Sequence, residues 1–328
     1  MNWRAMGDEP LEGCSGIGAY VGQAALRSNG GHVVTQASSA PTKQVPPDTL
    51  LTSLAMTRPL PTIGAALLVD DLETLAPWLI EGQRDVEIQD FIFPERLDGD
   101  WQMQVDRART LLEGHTGRLG IHGPFMGFSI ATPDPAIRAA VKQRLRQGLD
   151  IAVALGATQM VVHSPYTTWS YNNLDKDFGA RTRMTEYCHL TMGDAVRQAE
   201  DHGITLVIEN IEDKDPMDRL HLANSFETDA VAVSIDTGHA HYAHGTTGAP
   251  PVDYFVTAAG DRLAHVHVQD ADGYADRHWR PGMGTVNWHA VFAALATLPQ
   301  SPHLVLELAD NSQLRAGADW LIAQGLAR

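Results

Sequence analysis

The chain has 328 residues, 44% hydrophobic and 20% charged, a composition that fits a packed globular protein and excludes a wholly disordered or fibrous one. Its 24 lysines and arginines against 40 aspartates and glutamates give a net charge of -16, which argues against a surface built to neutralise nucleic-acid phosphates or anionic lipid. Cys14 and Cys188 show no CxxC spacing, and no run approaches the ~18 apolar residues of a membrane span, so a reducing, cytoplasmic setting is expected.

Residues 1–61 read as an N-terminal extension, expected to be largely disordered. The start, MNWRAMGDEP, lacks the basic end and apolar run of a secretory signal. LEGCSGIGAYVGQAALRS has room for one short helix. Residues 28–48 (SNGGHVVTQASSAPTKQVPPD) show neither helical nor strand periodicity and read as a mobile tail. The sequence leaves open whether the functional chain starts at Met56.

From Thr62 onward the pattern changes, and residues 62–328 read as one catalytic domain. Short β-branched runs alternate with longer amphipathic stretches, as in parallel strands joined by crossover helices. The predicted strands are IGAALLV (63–69), DVEIQDF (85–91), RLGIHGPF (118–125), QMVVHSPY (159–166), TLVIENI (205–211), VAVSIDT (231–237), LAHVHVQD (263–270) and HLVLELAD (303–310). The clearest helices are 135–156, opened by proline and closed by Gly156, and about 182–202, stopping at Gly203. Eight such units in about 265 residues predict an α/β fold, a (β/α)₈ TIM barrel. A doubly wound sheet would carry a glycine-rich phosphate turn after its first strand, and none follows IGAALLV.

From the third strand onward nearly every strand ends in an ionisable residue: His122, His163, Glu209, Asp236 with His239, His267 with Asp270, and Glu307. In a parallel barrel all these strand ends open on one face, so the side chains converge on one pocket. Crowded carboxylates and imidazoles need compensating charge, which a divalent cation provides. A donor set without thiolates suits zinc, manganese, iron or cobalt.

A lone strand-end histidine such as His122 or His163 is more often a hydrogen-bonded structural residue than a ligand. Glu209 and Glu307 resist that explanation, because each follows an apolar run where an unpaired carboxylate is heavily penalised. His265 and His267 point to the same side by strand alternation, so one of them suffices as a ligand. His115, His189, His202, His221, His289 and His303 fall in helical or loop contexts and are expected at the surface or in packing.

Taken in order, IHGPF, VVHSPY, LVIENIED, SIDTGHAH, HVHVQD, DRHWRPGMG and LVLELAD resemble the xylose-isomerase-like superfamily of metal-dependent barrels. That superfamily contains sugar isomerases and epimerases as well as abasic-site nucleases of the endonuclease IV type. In the epimerase branch the resemblance implies one divalent ion, Mn, Zn, Co, Fe or Mg, held by Glu209, Asp236, His267 and Glu307, with His239 contacting substrate. In the nuclease branch it implies three zinc ions, with His122, His163, His239, Asp276 and His278 as additional ligands. The resemblance also allows a homo-oligomer.

The two branches use one pocket differently. For an isomerase, the ion polarises a carbonyl and its neighbouring hydroxyl while Glu209 and Glu307 act as the acid/base pair; for a nuclease, clustered ions activate water against a phosphodiester. Loop acids such as Asp213, Asp215, Asp270 and Asp272 speak against a duplex-binding face. The loop aromatics Trp169, Tyr171, Tyr242, Trp279, Phe125 and Phe128 suit stacking on a sugar ring, or serve only as loop packing. The expectation is therefore a divalent-metal-dependent isomerase or epimerase of a small keto-sugar or polyol-like substrate, with His122, His163, His239 and Trp279 as substrate contacts. The alternatives are a three-metal phosphodiesterase and a lyase or hydrolase of a modified sugar.

Overall fold

The computed structural model describes residues 59–328 apart from Asp177. The extension expected over residues 1–61 and the alternative start at Met56 lie outside the described residues, save for positions 59–61. Among the described residues no helix is long and apolar enough to cross a membrane.

Eight strands form a closed parallel barrel in chain order. They are β1 (Gly64–Leu67), β2 (Val86–Ile88), β3 (Leu119–His122), β4 (Gln159–His163), β5 (Thr205–Glu209), β6 (Val231–Asp236), β7 (Leu263–Val268) and β8 (His303–Leu306). Runs such as Met160-Val161-Val162 and Leu206-Val207-Ile208 are buried throughout. Such continuous burial is what strands covered on both faces require.

All eight predicted strands are present, and each ends earlier than its apolar pattern. The predicted eighth strand ran to 310, whereas the ladder stops at Leu306 and Glu307 sits just beyond it. Apolar character persists past the last ladder bond because those residues turn over the barrel mouth and stay buried. His303 opens β8 as the predicted strand has it and is only 5% exposed, which corrects its grouping with the histidines of loops and helices.

The predicted helices match closely, at Pro135–Leu155 and Ala180–His202, and they pack against each other. The Asp134 carboxylate caps the first by accepting from the Ala136 N–H at 2.7 Å, with Pro135 in the first turn where its missing N–H costs nothing. Both helices end at left-handed glycines, Gly156 and Gly203. Val141, Leu145, Leu149 and Ala152 form the buried stripe of the first helix. Full burial of a leucine or valine contributes about 1.5–3 kcal/mol, so this stripe docks the helix on the sheet.

Inside the barrel, alternation sorts the strands into layers. Val161, Val207 and Ala232 make a small apolar cluster of their own. Two residues further along two of those strands come His163 and Glu209, which are Cα partners in the β4–β5 ladder. Asp236 and His267 are likewise partners between β6 and β7. A floor of small apolar groups thus carries a layer of ionisable ones at the C-terminal mouth.

Candidate metal centre

Glu209, Asp236, His267 and Glu307 each offer one donor atom, and these atoms all lie within 4.8 Å of one another. Local structure aims each of them. Asp236 ends β6 and caps the helix Thr237–Thr247: its Oδ1 accepts from the His239 N–H at 2.7 Å and from Gln269 Nε2 at 3.0 Å. Its backbone is held by the Asn210 side chain, which donates to Asp236 O at 3.0 Å and accepts from Asp236 N at 2.9 Å. Gln89 donates to Glu307 Oε1 at 2.5 Å, fixing the carboxylate just beyond β8.

Two oxygens of this group, Glu209 Oε2 and Asp236 Oδ2, are buried and have no hydrogen-bond partner. A buried carboxylate oxygen without a donor is strongly disfavoured, so the arrangement fits a cation. His122 gives the same indication. Its Nδ1 lies 2.9 Å from Gly123 O, a carbonyl that can only accept, so the ring N–H sits there. The other nitrogen, Nε2, faces Glu209 Oε2 at 3.6 Å, as does His163 Nε2. A neutral His122 would aim a lone pair at that carboxylate. Burial opposes its charge, but Glu209 and Glu87 raise its proton affinity, so without a cation a proton on Nε2 takes the place a positive ion would fill.

His122, His163 and Glu209 form a second ion-sized donor group, His239, Asp276 and His278 a third, and Glu87, His265 and His267 a fourth, which shares His267 with the first. His239 Nδ1 lies 2.9 Å from Asn210 O, leaving its Nε2 3.3 Å from Asp276 Oδ2. Asp276 and His278 come from the loop after β7, and Gln269 ties that loop to the first group. The Gln269 carboxamide, fully buried, donates to both Asp236 Oδ1 and Asp276 Oδ1 at 3.0 Å and accepts from the His278 N–H at 2.9 Å. Gly238 makes room for it, because a Cβ there would stand 2.2 Å from the Gln269 side chain.

Proton affinities follow from this crowding. Burial opposes charge on Glu209, yet His267 and His122 beside it hold its carboxyl well below the ordinary range. Burial pushes Asp236 up to about 6 despite His239 nearby. Burial opposes the charged forms of His267 and His239 too, but Glu307, Glu87 and Glu209 around the first and Asp236 and Asp276 around the second raise both well above the usual imidazole value. His163, desolvated by burial, falls to about 3. Without a cation, protons on His267 and His239 compensate the carboxylates; a bound cation would replace them.

Other expected participants lie elsewhere or do other work. Asp270 does not join the donors: it accepts from the backbone of Ala271, Gly282 and Val286 and from the Trp288 indole, pinning the loop that carries Asp276 and His278. Asp272 pairs with Arg277, Asp215 caps the helix Pro216–Ser225, and Asp213 is buried beside Ser164 and Arg219. Each of these four acids thus has a structural partner, and Asp213 and Asp270 are buried. Phe125 stacks on His163 with centroids 3.8 Å apart, whereas Trp169 is 80% exposed. The Trp279 ring lies 5.3 Å from the Arg277 guanidinium. Sequence reasoning missed Glu87, Gln89, Asn210 and Gln269. An acid inside the apolar run VEI was the available signal for Glu87.

The chain belongs to the xylose isomerase-like TIM barrel family, whose model matches residues 84–324. Over 188 residues it is 25% identical to the uncharacterized protein MJ1311 of Methanocaldococcus jannaschii, a match that spans 53% of this chain and only 59% of that relative. Among solved structures it resembles the TTHB071 protein from Thermus thermophilus, studied after soaking with ZnCl2, at a TM-score of 0.62 and 24% identity over 81% of this chain and 99% of the other. A D-tagatose 3-epimerase-like protein superposes with a TM-score of 0.65 at 20% identity, covering 81% and 98%. At these identities the structural likeness is one of fold.

Proposed function

We propose that the chain is a divalent-metal-dependent isomerase or epimerase of a small keto-sugar or polyol-like molecule, bound at the C-terminal mouth of the barrel. The observation that carries this reading is the convergence of Glu209, Asp236, His267 and Glu307, with Glu209 Oε2 and Asp236 Oδ2 left unpartnered. These four residues would hold Mn, Zn, Co, Fe or Mg. A cation bound there supplies polarisation of a carbonyl and its adjacent hydroxyl, acidifying the C–H between them. Glu209 and Glu307 come from β5 and β8, on different sides of the mouth, and in this reading exchange a proton with opposite faces of that carbon. In this reading His122, His163, His239 and Trp279 contact the substrate. The fold shared with an epimerase-like protein supports the substrate class. A cytoplasmic setting belongs to the same reading.

A second reading, hydrolysis of a phosphoester, is favoured by one specific observation: two of the further donor groups, His122/His163/Glu209 and His239/Asp276/His278, consist of the additional ligands which that reading needs, and one shares Glu209. Cations in both groups that contain Glu209 would lower its basicity further and disfavour proton transfer through it. The readings therefore part at Glu209, and the count of ions per chain separates them. The test combines elemental analysis with turnover in deuterium oxide. One ion and solvent deuterium at the carbon beside the carbonyl of a converted ketose support the isomerase. Three ions with metal-dependent cleavage of a phosphoester, and no exchange on any ketose, overturn it.

A further inference from the structure

One layer beneath the donors lies a second set of charged groups, also fully enclosed. Glu87, on β2, is 2% exposed, and each of its carboxylate oxygens faces a different imidazole: Oε1 is 2.9 Å from His267 Nε2 and Oε2 is 3.1 Å from His265 Nε2. His265 is itself held from behind, its Nδ1 2.8 Å from the Ser234 hydroxyl. The opposite nitrogen of His267, Nδ1, points up at the donor group, 2.9 Å from Glu209 Oε1 and 3.5 Å from Glu307 Oε2. Ser234, His265, Glu87, His267 and Glu209 thus form one continuous chain of polar contacts from the barrel interior to the candidate centre.

We propose that Glu87 is a positioning residue for His267, fixing which nitrogen it presents to a cation; the inference rests on the reading that His267 is a ligand. A carboxylate only accepts hydrogen bonds, so the imidazole nitrogen facing Glu87 must carry the ring hydrogen. When the second proton leaves on metal binding, the lone pair therefore appears on Nδ1, toward Glu209 and Glu307, and not on the buried side. The hydrogen bond from His267 Nε2 to one Glu87 oxygen also limits rotation of the ring, while the other oxygen faces His265 Nε2, a nitrogen without a hydrogen-bond partner, at 3.1 Å, the two imidazoles standing at 90° with centroids 4.6 Å apart. Outer-shell carboxylates of this kind orient ligating histidines and raise their basicity, and their loss commonly weakens metal binding by about 10–100-fold.

The experiment is direct titration of the metal-stripped full-length chain with Mn²⁺ and with Zn²⁺, read by calorimetry, on the wild type, Glu87→Gln, His265→Asn and His267→Ala, alongside the Tm of each metal-free variant. Glu87→Gln keeps the shape and removes the charge. It is expected to bind about 10–100-fold more weakly, a loss larger than any fall in the metal-free Tm accounts for. His265→Asn, which loosens one side of Glu87, should lose a few-fold in affinity and carries the test if Glu87→Gln does not fold. Wild-type affinity in Glu87→Gln, or a loss that merely follows a lowered Tm, overturns the positioning role. Wild-type affinity in His267→Ala overturns instead the ligand reading on which it rests.

Discussion

His267 Nδ1 on β7 lies 2.9 Å from Glu209 Oε1 on β5, while the other Glu209 oxygen faces His122 and His163 at 3.6 Å. Glu209 is thus two-sided, and it belongs to two of the donor groups. Glu209→Gln is accordingly expected to disturb both groups, and Asp236→Asn only the first. If more than one ion binds, Glu209→Gln should lower metal content by more than Asp236→Asn does, with at least ~100-fold weaker binding at the first centre in both, beyond the ~10–100-fold of outer-shell changes. Elemental analysis of the purified variants checks this. Full occupancy in Asp236→Asn would remove Asp236 from the ligand set.

Metal uptake should release protons at neutral pH. Burial opposes the charged form of His278, but Asp276 and Glu307 beside it raise it to about 9, and His267 is likewise raised, so both carry a proton at pH 7 when no cation is bound. A ligating imidazole must lose that proton. Affinity should therefore rise with pH, by up to ~10-fold per unit for each proton displaced, and level off once the raised imidazoles have titrated. Calorimetry in buffers of different ionisation enthalpy reads the proton count. An uptake that is independent of buffer, with no proton released, would contradict the electrostatic account.

The Arg219 guanidinium lies fully buried 3.8 Å from Asp213 Oδ1, with Nε and Nη1 lacking hydrogen-bond partners. Removing one member of such a pair strands the other, so Arg219→Met should cost on the order of 3 kcal/mol. The loss has a pH signature. Burial already raises Asp213 to about 6, above its unfolded value, so its contribution to stability is intact below ~4 and is lost as pH rises through 6. Without Arg219 the carboxyl should rise further and extend that loss to higher pH. Urea unfolding at pH 5 and pH 8 should show the larger deficit at pH 8, relieved in Arg219→Met/Asp213→Asn. An equal deficit at both pH values would argue that packing, not charge, sets the cost.

Gly238→Ala places a methyl group 2.2 Å from the buried Gln269 carboxamide, which joins Asp236 to Asp276 and His278. The side chain must move, at a cost of about 1–3 kcal/mol for overpacking. A lowered Tm together with reduced metal affinity is expected. A Tm loss with metal affinity intact would show that Gln269 packs the mouth without tuning the donors.

The sequence by itself determined the barrel and the level of the site. Strand spacing set eight βα units, and ionisable residues closing apolar runs, such as Glu209 after LVI and Glu307 after LVL, marked the mouth, because all strands of a parallel barrel open on one side. Alternation also placed His265 and His267 on one face, as they are found. Only the tertiary structure decided which of these residues meet. Alternation fixes the face a side chain points to, but the lateral offset between strands and the path of each loop fix distances. Asp270, two residues from a strand end, was therefore indistinguishable in sequence from a ligand, yet the loop wraps it in backbone N–H groups. Asp276 and His278 reach the site because Gln269 and a left-handed backbone at His278 fold their loop back over it. Glu87 was hidden for the opposite reason. It sits in a three-residue strand whose burial is complete, and only closure of β2 against the far side of the barrel brings it beneath His267.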